Sequence, residues 1–390
     1  MKYLHVIRSL NPKVGGPVEA IRQLIKAMCK AGHQAEVATM DDAAAPWLGG
    51  METQVHALGP GWGKYGYGSQ LVPWLREHGA EYGAIIVNGL WQYQGLGTWM
   101  ALQKSGLPYY VFPHGMLDPW CIRQSRRKHL KKAAYWLAVE HRVLRKARAV
   151  LFTSEEEREL AHGVLWPYGL REVVVNYGTS PPAGDAEEQR AVFFRRYPEL
   201  RDKRLILCLG RIHPKKGCDL LVKAFARVLG EREEWQLVIA GPDESGTQGK
   251  LARLAGSLGI GARVSWPGML TGDLKWGALQ AAEAFALASH SENFGIVVAE
   301  ALACGTPVLI SNRVNIWREI AADGAGLVAE DTAAGTERLL REWKQLGAGE
   351  RQNMRENARN CFRRRFHIQQ AAASLLQVIS EPQAQPAAAS

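Results

Sequence analysis

The chain has 390 residues, 47% of them hydrophobic and 22% charged, which is enough apolar material for two domain cores of ordinary size and unlike a disordered polymer. No apolar run approaches the ~20 residues that cross a bilayer, and the run at the start is too short for a secretory signal and is broken by Arg8. The formal charge is +10, and between Arg123 and Arg148 ten Lys/Arg stand against one acid, Glu140, so a single segment carries a net +9.

In chain order, residues 3–9 read as a buried strand, 11–16 as a Gly/Pro loop, 18–30 as a helix closed by Gly32, and 34–40 as a second strand. Residues 43–68 are rich in Gly, Trp and Tyr without periodicity and read as irregular structure. Strands follow at 84–88, 109–113, 150–153 and 173–176, and the basic stretch 126–146 has a helical pattern. At 177–188 the chain turns to Gly, Pro, Ser, Asp and Glu, a linker signature. A new series opens at 204–210, with later strands at 236–240, 263–266, 285–288, 308–310 and 326–328, and helices dominate after Asp331. Strands alternating with helices are the pattern of parallel α/β domains. The expected domains are 1–178 and 204–362, joined by a linker region at 179–203. A helix at 363–380 is expected to cross back to the N-terminal domain, and 381–390 reads as a disordered tail. Ligands of open α/β sheets bind beyond the carboxyl ends of the strands.

Several motifs fall at such ends. Glu292 and Glu300 lie eight apart around Gly295, which opens an apolar helix stopped by Gly305 and Pro307. Eight helical residues rise roughly 12 Å, the scale of an elongated ligand, with Glu292 in the loop before the helix. Backbone N–H groups near Gly295 and Ile296 would meet a diphosphate between the two carboxylates. Arg211 and Lys216 flank the turn after the strand at 204–210, where a planar fork and a point charge suit a diphosphate, with Lys215 as the neighbouring alternative. The paired Gly15 and Gly16 let backbone approach a ligand at the first strand-to-helix turn, but the G-x-G-x-x-G dinucleotide fingerprint is absent. His114 ends an apolar strand beside Gly115, with Asp118 and Trp120 close behind. The six cysteines form no C-x-x-C pair and read as free thiols in a reducing cytoplasm.

The run from Ser291 to Pro307 resembles the E-x7-E motif of the retaining glycosyltransferases of family 4, which have the two-domain GT-B fold. Gly210-Arg211 with Lys216-Gly217 is similar to that family's Gly-Arg and Lys-Gly pattern, and Phe112 to Trp120 resembles a bacterial exopolysaccharide and O-antigen subgroup. The resemblance implies a GT-B α/β fold, two Rossmann-like parallel-sheet domains facing a central cleft. It implies that Arg211 and Lys216 hold the donor diphosphate and stabilise it as it leaves. Gly15, Gly16, Asn293, Phe294, Gly295, Ile296 and Glu300 would line the donor, with Glu300 accepting from the ribose. Glu292 would orient the sugar and His114 would contact it. No Asp-x-Asp motif occurs, so neither metal nor cofactor is expected.

The implied reaction moves a hexose from a UDP- or GDP-linked sugar to a glycan or polyprenyl-diphosphate-linked glycan in bacterial surface polysaccharide synthesis, with same-face displacement. A non-catalytic nucleotide-sugar-binding or membrane-adaptor protein is the alternative, as is a sugar-nucleotide epimerase on the same fold. The basic segment reads equally as a lipid-binding amphipathic helix and as a surface helix packing Trp136 and Leu137 inward, with binding of an acceptor pyrophosphate a third option. No nucleic-acid motif accompanies its charge. The expected location is the cytoplasm, with a peripheral place on the inner face of the membrane. The aromatic region 62–74 is open to a role as an acceptor platform.

Overall fold

The computed structural model describes residues 1–12, 15–122, 126–243 and 246–380. Arg123 and the tail 381–390 lie outside the described residues. The chain forms two compact units, Met1–Gly178 together with the segment that begins at Ile368, and Thr179–His367.

In the first unit the strands are β1 (Lys2–Ile7), β2 (Gln34–Thr39), β3 (Val55–Ala57), β4 (Ala84–Asn88), β5 (Tyr109–Phe112), β6 (Ala149–Phe152) and β7 (Glu172–Val174). They form a parallel sheet in the order β3-β2-β1-β4-β5-β6-β7. β4 is buried at every position, as a parallel strand covered on both faces must be. Alternate residues feed two cores, because successive side chains leave a strand on opposite faces. Leu4, Val6, Ile85, Val87 and Val111 pack with Leu71, Leu75 and Ala101 of the helices Leu71–His78 and Tyr93–Leu102. Tyr3, Ile7, Ile86 and Tyr110 pack with Ile21 and Ile25 of the helix Gly16–Lys30. The final helix, Ile368–Ser380, belongs to this second core through Ala371, Leu375 and Ile379. Each such Leu, Ile or Val contributes about 1.5–3 kcal/mol by burial.

The second unit has β8 (Arg204–Leu209), β9 (Trp235–Ala240), β10 (Val264–Gly268), β11 (Ala284–Leu287), β12 (Val308–Ser311) and β13 (Gly326–Ala329), parallel in the order β10-β9-β8-β11-β12-β13. Ile206, Leu237, Ile239 and Leu309 pack against Leu221 and Phe225 of the helix Cys218–Leu229 and Leu339 and Trp343 of Ala333–Gln345.

Three local expectations need correction. Residues 43–68 contain β3, an edge strand too short to show periodicity, paired to β2 from Val37↔Val55 to Thr39↔Ala57. Residues 179–203 are not a bare linker. Asp185 caps the helix Ala186–Arg196 through the N–H groups of Glu187 and Glu188. Its Gln189 and Phe193 are buried, and a Cβ on Gly277 would lie 2.1 Å from the Gln189 carbonyl oxygen, so this helix and Gly272–Ala281 touch through backbone. The basic helix is interrupted by a wider turn, Trp136–Glu140. Trp136 is buried and donates to the Pro167 carbonyl at 2.8 Å, whereas Leu137 is 52% exposed, so only one of the pair faces inward.

Near the end of the second unit Asp323 accepts a fork from Arg365 at 2.8 and 2.9 Å and a further bond from Arg364. The Arg365 fork is the main cause that holds its carboxyl at about 2, below the ordinary 3.8. The folded state therefore binds this proton less tightly than the unfolded one. Its contribution is complete above 3.8 and fades as pH falls toward 2. Asp323→Asn is expected to flatten the acid limb of stability across that window, measured as urea midpoints against pH.

Candidate functional site

The second unit gathers most of its candidate residues at the carboxyl ends of β8, β9 and β11. Gly210 and Gly241 follow β8 and β9 with φ of 147° and 146°, and a Cβ on Gly241 would lie 1.9 Å from the Gly210 carbonyl oxygen. Only glycine fits there, and the two loops run backbone against backbone. Arg211 comes next and is exposed. The short turn Pro214–Lys216 is capped by His213, whose Nδ1 accepts from the Lys215 N–H at 3.1 Å. Gly217 ends the turn at φ 62°, and a Cβ there would fall 2.0 Å from the Ala288 carbonyl oxygen.

One carbonyl ties this turn to the next loop. The Lys215 oxygen accepts from the His290 N–H at 2.8 Å and from the buried Ser289 hydroxyl at 3.0 Å. The segment that leads to Glu292 is thereby fixed to the segment that carries Lys216. Glu292 is held further by its own backbone, donating to Arg313 O at 2.8 Å and accepting from Asn315 N at 3.0 Å. Lys216 Nζ and Glu292 Oε2 form an ion pair, with side chains 21% and 20% exposed. Phe294 is buried against Phe366, ring centres 5.6 Å apart. Gly295, at φ 72°, turns the chain into the helix Ile296–Ala303. The first N–H groups of a helix have no partner within it and carry its positive dipole end. The helix start lies close to the ion pair, since a Cβ on Gly295 would fall 3.2 Å from Glu292 Cγ, so an anion beside Lys216 would have such donors near it.

Glu300 stands apart from that pair. It is 5% exposed and binds Lys275 Nζ at 2.7 Å, from the helix Gly272–Ala281. The sequence reading missed Lys275, which lies in no motif and is brought to Glu300 only by helix packing.

In the first unit Gly15 has φ 98° and donates to Pro12 O at 3.0 Å, and Gly16 is the first residue of the following helix. The loop before them is braced by buried Asp41, which accepts from Leu10 N and Ser9 Oγ, both at 2.6 Å, and Thr39 Oγ1 at 2.8 Å. His114 lies past β5 with φ 50°, and Gly115 follows at 73°. Met116 N donates to Pro113 O at 3.0 Å, closing a tight turn with two positive φ values at its centre, as primed turns require. Gly115 N donates to buried Glu157 Oε1 at 2.6 Å, and Glu157 Oε2 takes Thr153 N at 2.7 Å and Thr153 Oγ1 at 2.6 Å. The His114 ring stacks on Phe112, centres 5.4 Å apart, and meets the edge of Tyr177. Its Nε2 bonds Asn88 Oδ1 at 3.1 Å. Burial pushes the imidazole down to about 4, so it is neutral at neutral pH. Asn88 and Glu157 were both missed. A polar residue closing the apolar run Ala-Ile-Ile-Val-Asn was the available signal for Asn88. Asp118 accepts from Trp120 N at 2.6 Å and so shapes the short helix Pro119–Ile122.

Residues 15–178 match the family described as glycosyl transferase 4-like domain, and residues 189–361 match glycosyl transferases group 1. The chain is built of two glycosyltransferase domains. Among curated relatives, the D-inositol 3-phosphate glycosyltransferase of Rhodococcus opacus (strain B4) is 28% identical over 298 residues, 70% of this chain and 64% of the relative. The chain thus spans less than two thirds of that relative's length. Among solved structures, Anabaena HepE with UDP and glucose is 19% identical with a TM-score of 0.75, covering 97% of this chain and 99% of that one. Sucrose-phosphate synthase from Thermosynechococcus elongatus is 20% identical with a TM-score of 0.73, covering 97% and 98%. At these identities the likeness is one of fold, and that fold is GT-B. These relatives show the domains and the fold, and not a subgroup.

Glu157→Ala is expected to leave three donors facing a buried gap and to cost about 3 kcal/mol or more in urea unfolding. Glu157→Gln, which keeps an accepting oxygen, is expected to cost clearly less. Equal losses would mean that the carboxylate is not the anchor of the His114 turn.

Proposed function

We propose that this chain transfers a hexose, with retention, from a nucleoside diphosphate sugar to a hydroxyl of a glycan or lipid-linked glycan in bacterial surface polysaccharide synthesis. The observation that carries the reading is the Lys216–Glu292 pair at the carboxyl edge of the second sheet, close to the helix that opens at Gly295 and on the loop that Arg211 begins. A diphosphate would take the Lys216 ammonium and release Glu292 to accept from sugar hydroxyls. Glu300, kept in place by Lys275, would accept from the ribose hydroxyls. The acceptor oxygen forms a bond to the anomeric carbon as the carbon–phosphate oxygen bond breaks, and the acceptor proton passes to the departing phosphate oxygen. The products are the glycosylated acceptor and a nucleoside diphosphate. Arg211, Lys216 and helix N–H groups would already face the oxygen on which charge grows, and such fixed charges give the largest share of many rate enhancements. They take the place of a metal ion, and no other cofactor enters the proposal. His114 and the Gly15-Gly16 turn of the first unit are proposed as further substrate contacts. That HepE, of similar fold, was solved with UDP and glucose supports a nucleotide-sugar donor.

Thermal shifts with UDP, GDP, ADP and their sugars test the donor. Binding to the folded state raises its melting temperature by mass action. One base is expected to stabilise wild type without added metal, and less so Glu300→Ala. Lys216→Ala is expected to lower kcat by about 10²–10³, the usual effect of removing one such stabilising group. No shift with any nucleotide would count against the reading.

We also propose a peripheral place for the chain on an anionic membrane from the cytoplasmic side. Arg142, Arg145, Lys146 and Arg171 border a concavity of about 890 Å³, and Lys146 and Arg171 with Arg148 border a second of about 570 Å³. Leu137 lines the first, and Trp166, 84% exposed, adjoins its Pro167. Lys132 is turned elsewhere, donating to Cys121 O over the Trp91 ring. Cations near an anionic surface add about 1 kcal/mol each. Sedimentation with phosphatidylserine vesicles at low salt is expected, with none on pure phosphatidylcholine. Arg142→Glu with Arg145→Glu is expected to abolish it, and unchanged sedimentation of that variant would refute the patch.

A further inference from the structure

His114 is joined to the middle of the first sheet by a line of side chains with no part in the motifs. Asn88, the last residue of β4, is buried, and so is His5 on the neighbouring β1. The Asn88 amide nitrogen donates to Ile86 O at 3.0 Å and faces Val6 O and His5 Nδ1, each at 3.4 Å. Two carbonyls and a ring nitrogen around one end fix the orientation of the amide, since a carbonyl cannot donate. The Asn88 oxygen is then the end that meets His114 Nε2 at 3.1 Å. An oxygen there can only accept, so Nε2 must carry the proton. The geometry points to Asn88 as a positioning residue that holds His114 as the neutral tautomer protonated on Nε2, so that Nδ1 is the nitrogen left to accept a hydrogen bond from a substrate hydroxyl.

The surroundings favour the neutral ring. His114 is flanked by Phe112 and Tyr177, which bring no positive or negative charge. His5, the nearest titratable group along the line, is itself held down to about 3 by burial and by His114, so charging either imidazole opposes charging the other. Its Nε2 is buried without a partner among the described residues and its Nδ1 faces the Asn88 amide N–H, so neither ring nitrogen offers a charged ring an acceptor. The Glu157 carboxylate lies one residue along, on Gly115 N, with three hydrogen bonds to satisfy it. The left-handed backbone of His114 fits the same picture. A non-glycine residue in that region costs of order 1–3 kcal/mol and persists where the surroundings over-determine it. Here they do so from both sides, through Asn88 on the ring and Glu157 on the next N–H.

The chemical part of the inference is independent of any reaction, and only its kinetic part rests on the transferase reading. The full chain, labelled with ¹⁵N in its histidine rings, reads the tautomer by nitrogen chemical shift, with His114→Gln identifying the signal. At pH 7 wild type is expected to show a protonated Nε2 and a bare Nδ1, with no titration until pH falls below 5. In Asn88→Ala the Nδ1-protonated form is expected to appear. In Asn88→Asp the facing carboxylate is expected to raise the titration by about one unit or more. A protonated Nδ1 in wild type, titration near the ordinary 6.5, or an identical signal in both variants would overturn the assignment. Urea unfolding of the same variants separates a tautomer change from a folding defect. For turnover, Asn88→Ala is expected to lower kcat while leaving the nucleotide thermal shift intact, and the Asn88→Ala, His114→Ala double variant is expected to be no slower than His114→Ala. Normal turnover by Asn88→Ala with an altered tautomer would overturn the positioning role and leave the transferase reading standing. A wild type that transfers no sugar would strike the transferase reading, and the nitrogen shifts would still decide the tautomer.

Discussion

A parallel sheet covered by helices on both faces uses up its own backbone. Every interior strand gives its N–H and C=O groups to two neighbours, and its side chains enter one core or the other. Chemistry is left to the strand ends, where the chain must turn and where hydrogen-bonding groups come free. Both units obey this constraint. In the first, β1 and β5 end in the Gly15-Gly16 turn and in His114. In the second, β8 ends in Arg211 and β11 in the loop that bears Glu292. Lys215 O is the decisive contact within that second group, because one acceptor shared by His290 N and Ser289 Oγ joins the loop that carries Lys216 to the loop that carries Glu292.

The two glutamates of the eight-residue motif live under different physics. Glu292 is partly exposed and paired with a lysine on a separate loop, so the pair is easily exchanged. In the proposed reaction an incoming diphosphate would substitute one anion for another beside Lys216, and only the difference between the two states would contribute to affinity. Glu300 is nearly buried, where a lone carboxylate would be costly unless paired. Lys275 supplies that partner, and breaking a buried pair is more damaging than never having had one. One position suits a group that must move its partner during a cycle, and the other a group that must stay put.

Much of the fold could be read from the residues, since most strands and the helices Cys218–Leu229 and Ile296–Ala303 declare themselves by apolar runs between glycines and prolines. β3 could not, because three residues show no period. The helix Ala186–Arg196 was hidden behind the Gly/Pro stretch before it, and its backbone contact with Gly277 is a fact of packing alone. The same division runs through the site. Arg211, Lys216, Glu292 and Glu300 stand in local motifs, whereas Lys275, Asn88 and Glu157 matter only through partners 25, 26 and 42 positions away. Local sequence carries the groups that would touch a ligand. The groups that hold them are set by the topology, which no short window contains.

That division also says where tolerance ends. Arg211 is exposed, and substitutions at exposed positions usually change stability little. Gly217 and Gly241 are the reverse, because a single methyl at either meets backbone at about 2 Å. Backbone cannot swing aside as a side-chain tip can, and the loops would separate before any ligand arrived. The glycines therefore constrain the site as firmly as the charged residues do, although nothing about them is chemical.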